Sequence, residues 1–116
     1  MFTEDEIARK LPVWHALARQ FLDTELQSSD YAFIGRQLRA SGYSAEELRR
    51  ILEIEVAPAF AFNLCDVAGE WLPWSEEEVR TIMLNHRANP QQWLEEGRLQ
   101  TIVSAIWADL LPSLDS

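Results

Sequence analysis

Apolar residues recur at intervals of three and four along most of this chain, and the strict alternation that marks a strand is absent. Ile7, Leu11, Trp14, Leu17, Phe21 and Leu22 trace one such stripe and predict a first helix from about Glu4 to Glu25. Pro12 falls inside it, removes one backbone donor and predicts a kink or break near residues 8–11. Tyr31, Ile34 and Leu38 mark a second helix from Asp30 to about Ala40, with Gly42 placed to end it in a left-handed conformation. Leu48, Ile51, Leu52 and Val56 give a third, from Ala45 to about Val56, which Pro58 should close. Residues 58–74 are the least periodic, with a short helix from Leu64 to about Glu70. Val79, Ile82 and Met83 predict a helix from Ser75 to about Arg87. The last helix, opening at Pro90 and closing at Pro112, carries Trp93, Leu99, Val103, Ile106, Trp107 and Leu110, with Gly97 as a point of flexure.

Helix-start chemistry supports this reading. Thr3 with Glu6, Ser44 with Glu47 and Ser75 with Glu78 are spaced as capping boxes, in which the hydroxyl accepts from the third residue's amide and the Glu reaches back. Asn89-Pro90 offers a capping side chain followed by a ring already set at a helical φ. The expected fold is all-α, one domain over residues 1–116, a bundle of about five to six helices with no sheet.

Composition narrows the classes of partner. Apolar residues make up 47% and charged residues 25%, a globular balance, and the formal net charge is -9. That sign repels phosphate backbones and anionic headgroups, so direct nucleic-acid or membrane binding is not expected, whereas a basic protein partner is. Cys65 is the one cysteine, which excludes an internal disulfide; with Leu64 and Val67 as neighbours it reads as a buried, inert thiol. The first residues are acidic where a secretory signal would be basic and then apolar, and a cytoplasmic location is expected. His15 and His86 lack partners at metal-binding spacing and read as structural. No motif indicates a catalytic residue, a metal site or a cofactor.

Between Arg50 and Arg80 lie seven carboxylates, Glu53, Glu55, Asp66, Glu70, Glu76, Glu77 and Glu78, without a Lys, Arg or His. Glu76, Glu77 and Glu78 belong to a helix start, where negative charge complements the dipole. Glu53 has Arg49 and Arg50 within one turn, and Glu6 to Lys10, Glu46 to Arg50 and Glu76 to Arg80 are oriented for i to i+4 pairing. Glu55, Asp66 and Glu70 remain, beside Trp71 and Trp74. Asp66 and Glu70 share a face if the short helix forms. Trp14, Trp93 and Trp107 fall on apolar stripes and are expected in the core, whereas Trp71 and Trp74 flank an irregular segment and suit a core lid or an exposed anchor equally.

Leu22-Asp23-Thr24-Glu25-Leu26, Val56-Ala57-Pro58-Ala59-Phe60 with Asn63 and Leu64, and Val67-Ala68-Gly69-Glu70-Trp71 resemble segments of a family of small, acidic, functionally uncharacterised proteobacterial proteins. The resemblance implies a bacterial cytoplasmic origin and assigns no site. In size, acidity and helicity the chain is also of the physical type of bacterial immunity proteins, whose acidic surface and aromatic anchor occupy the basic groove of a nuclease toxin. The expected function is therefore non-enzymatic docking of a basic protein partner, such as a toxin, by a monomer or homodimer. Glu55, Asp66, Glu70, Trp71, Trp74 and Tyr43 are its candidate contacts. The alternatives are a carboxylate-dependent enzyme, requiring Asp66, Glu70 and Glu55 or Asp23 to converge, and a self-associating scaffold.

Overall fold

A computed structural model of the chain describes residues 3–22, 24–65, 69–70 and 72–114. Its helices are α1 (Glu4–Ala18), α2 (Ser28–Ala40), α3 (Ala45–Arg50), α4 (Ala57–Phe60), α5 (Phe62–Cys65), α6 (Glu76–Ala88) and α7 (Glu96–Leu114). A 3-10 turn, Arg19–Phe21, follows α1, and a π-helical stretch, Ile51–Val56, joins α3 to α4. No strand occurs among the described residues, and the all-α expectation holds.

The caps at Thr3, Ser44 and Ser75 build the starts they predict. Thr3 accepts from the Glu6 N–H at 3.1 Å. Ser44 and Ser75 accept from Glu47 and Glu78, whose carboxylates in turn accept from the capping N–H groups at 2.9 Å. A further box, Gln27 with Asp30, starts α2 two residues before the expected position, because Asp30 reaches back to the Gln27 N–H at 2.9 Å. Gly42 has the positive φ, 80°, expected of a helix stop.

Three boundaries differ from expectation, each for a backbone reason. The first helix runs unbroken through Pro12 and tightens into the 3-10 turn well before Glu25. Pro58 does not close the third helix. A proline cannot donate four residues back and its ring crowds that carbonyl; the wider register upstream, with the Ala57 N–H on the Leu52 carbonyl, opens the ladder and lets the chain continue into α4. The last helix begins at Glu96 and not at Pro90, because Asn89 closes α6 instead of opening α7, its N–H donating to the Asn85 carbonyl at 2.9 Å. At the far end α7 passes Pro112, and the Arg39 guanidinium donates to the Ser113 carbonyl.

α1 lies at the centre, packed against α2, α6 and the π stretch, while α2 packs on α7 and α4 bridges α6 and α7. α1 and α6 are antiparallel: Glu4 pairs with Arg80 at 3.3 Å, and the His15 Nε2–H donates to the Trp74 carbonyl at 2.9 Å. The core closes on Trp14, Leu17, Phe21, Leu52, Phe60 and Val79, all fully buried, and Trp107 joins it as expected. The radius of gyration, 13.3 Å, equals the value of about 13 Å expected for a compact chain of this length. Among the described residues no helix is long and apolar enough to cross a membrane.

Candidate functional site

Glu55 is compensated, contrary to its reading as an unpaired carboxylate. One oxygen accepts from the Lys10 ammonium at 2.8 Å and the other from the indole N–H of fully buried Trp14 at 2.9 Å. The missing base comes from α1, forty-five positions away in sequence. Tyr43 is also engaged internally, half-buried with the Arg9 guanidinium 4.5 Å from its ring centroid. Trp74 is 8% exposed and stands edge-on to Phe60 at 4.9 Å, so it is a core lid. Asp66 and Trp71, and with them the shared face of Asp66 and Glu70, lie outside the described residues.

Glu70 keeps an exposed side chain, but its backbone is held. Asn63, 3% exposed, accepts from the Glu70 N–H at 2.8 Å and donates to the Glu70 carbonyl at 3.0 Å and the Phe21 carbonyl at 2.7 Å. A peptide-like carboxamide thus substitutes for a strand neighbour and satisfies backbone groups that burial would otherwise orphan. The chain passes so close that a Cβ on Gly69 would stand 2.6 Å from the Asn63 carbonyl oxygen. This clamp fixes the segment that delivers Trp74 to α6.

Along α6 the surface is concave. A hollow of about 400 Å³ at its start is lined by Trp74, Glu77, Glu78 and Ile82. A second, of about 440 Å³, shares Ile82 and adds Phe62, Asn85, His86, Asn89, Gln91 and Trp93. A third, of about 490 Å³, shares His86 and is lined by Ile54, Glu55, Met83, Arg87 and Pro90. Positions 78, 82, 85, 86 and 89 are one helical stripe, so the first two hollows succeed one another along a single face of α6, while the third, on Met83, Arg87 and Pro90, opens on the adjoining face. Opposite stands a row of rings, Trp74, Phe62 and Trp93, with successive centroids 6.4 and 6.1 Å apart.

Trp93, expected in the core, is 45% exposed because it precedes α7. Cys65, expected to be buried, is exposed at the end of α5, where its thiol donates to the Trp93 carbonyl at 3.6 Å. Of the six predicted contacts, Trp74 lines this groove, Glu55 lines the third hollow on the adjoining face, and Tyr43 lines neither. Sequence reasoning missed Phe62, Asn85, His86, Asn89, Gln91 and Trp93; the four-residue spacing of Asn85 and Asn89 was the available signal. Among the described residues no group of three or more His, Cys, Asp or Glu stands close enough to hold a metal ion.

Burial pushes the His86 pKa below the ordinary histidine value. Above that value folded and unfolded chains both carry neutral imidazole. As pH falls the unfolded chain takes the proton first, so stability declines until the folded form is protonated as well. A His86→Gln variant should therefore lose less stability than the parent in urea titrations between about pH 7 and 5. Equal losses would contradict this.

The chain belongs to the family described as Domain of unknown function (DUF7079), which matches residues 8–111. No curated protein matches it, and no solved structure does.

Proposed function

We propose that this protein docks a basic protein partner along α6, without catalysis, and that an immunity-type inhibitor of a toxin is the most concrete form of that role. The observation that carries the reading is the groove itself: an aromatic wall of half-buried Phe62 and exposed Trp93 beside Glu77 and Glu78, in a chain of net charge -9. Opposite charge steers the encounter and raises the association rate, whereas apolar anchoring in a walled hollow holds the complex. Trp74 acts as the fixed back of the groove, and Glu70 adds exposed charge on the segment leading to it. Glu55 and Tyr43 support the scaffold.

Salt and substitution should separate these parts. For the partner recovered with excess protein at low salt, raising ionic strength from about 0.05 to 0.3 M should slow association about tenfold and leave dissociation nearly unchanged. Trp93→Ala should instead speed dissociation about tenfold or more. Surface plasmon resonance measures both. Failure to recover any basic protein, or a partner indifferent to salt, would refute the proposal.

A further inference from the structure

Three carboxamides line the middle of the α6 groove, and among the described residues Asn85, Asn89 and Gln91 have no hydrogen-bond partner for their side chains. Each carries donors and an acceptor, the combination that matches one residue's backbone N–H and C=O in an extended chain. The spacing agrees. Asn85 and Asn89 are separated by about 6 Å of helix rise, and an extended strand repeats its polar groups on one side every 6.6 Å or so. A helical ligand uses those groups internally and leaves the carboxamides idle. Asn63 already performs this pairing inside the molecule, on the backbone of Glu70.

We propose that the occupant of the groove is an extended basic segment, whose backbone pairs with Asn85, Asn89 and Gln91 and one of whose side chains stacks on Trp93. The proposal rests on the docking of a basic partner and specifies what that partner presents. Charge sets the direction. The first hollow has Glu77 and Glu78 and no base, whereas the second has no carboxylate, so the segment's Lys or Arg lies toward the start of α6. From Glu78 to Asn89 the groove spans about 16 Å, the length of about five extended residues. A Lys or Leu stem covers the indole, with a cation adding attraction to the ring face.

The test is a titration of ¹⁵N-labelled protein with an eight-residue peptide of alternating Lys and Leu, and with the same peptide N-methylated at alternate backbone amides. Methylation removes donors and leaves charge and side chains unchanged. The plain peptide should shift the side-chain amides of Asn85, Asn89 and Gln91. Both the methylated peptide and an Asn85→Ala/Asn89→Ala variant should bind about tenfold more weakly, the two losses overlapping and not adding. Equal affinity for the two peptides, or unshifted carboxamides, would overturn the proposal. So would a folded basic partner that docks with undiminished affinity on the Asn85→Ala/Asn89→Ala variant, although basic docking itself would stand. If neither peptide nor basic protein binds, both readings fall.

Discussion

Replacing Asn63 by alanine should destabilise the fold by about 2–4 kcal/mol and lower the melting temperature by about 10 °C. Three hydrogen bonds are lost at once, and they hold the Phe21 carbonyl at the end of the 3-10 turn to both polar groups of Glu70. The side chain is 3% exposed, so water cannot replace them without opening the packing. Asn63→Asp sharpens the test. It retains an acceptor for the Glu70 N–H but sets a carboxylate against two carbonyl oxygens, so its deficit should exceed that of alanine near pH 7 and shrink as acid neutralises it. Thermal melts at pH 7 and 4.5 would show the crossover. A loss under 1 kcal/mol for Asn63→Ala would mean that the clamp does not hold the segment carrying Trp74.

Glu55→Ala should cost about 2–3 kcal/mol, against less than about 0.5 kcal/mol for Glu70→Ala. The two carboxylates look alike in sequence, each without a nearby base. Glu55, however, accepts from the Trp14 indole and the Lys10 ammonium in a site where both charged side chains are only 18% exposed, whereas the Glu70 side chain is exposed. Removing it takes the acceptor from a buried indole and the counter-charge from a largely buried ammonium. Glu55→Gln keeps an acceptor and should fall between the two. Urea unfolding of the three variants gives the ranking, and equal losses for Glu55→Ala and Glu70→Ala would return Glu55 to the surface.

What was legible in the sequence is what depends on neighbours a few residues apart. The boxes at Ser44 and Ser75 and the stripe through Trp14, Leu17 and Phe21 are local, and the structure keeps them. Pro58 was misread because a proline's effect depends on the register of the turn before it, and a π turn has no residue signature comparable to a cap. Asn89-Pro90, expected to open a helix, fails for a related reason, since an asparagine that leaves helical φ and ψ can end one helix as well as begin the next; closing α6 there puts Trp93 outside α7. The pairing of Glu55 with Lys10 is a tertiary fact, invisible to spacing rules that look one turn away. The groove combines both problems. Its stripe on α6 could be counted, but its aromatic wall comes from α5 and from the connection before α7, which only the fold brings alongside.

Docking along α6 is tested most directly by site-specific photocrosslinking to the basic partner. One protein would carry a photoreactive residue at Gln91 in the groove and another at Arg36, exposed on α2, which packs against α1 and α7. Crosslinking from position 91, suppressed by Trp93→Ala and by high salt, is the predicted result. Efficient crosslinking from position 36 with none from position 91 would contradict it.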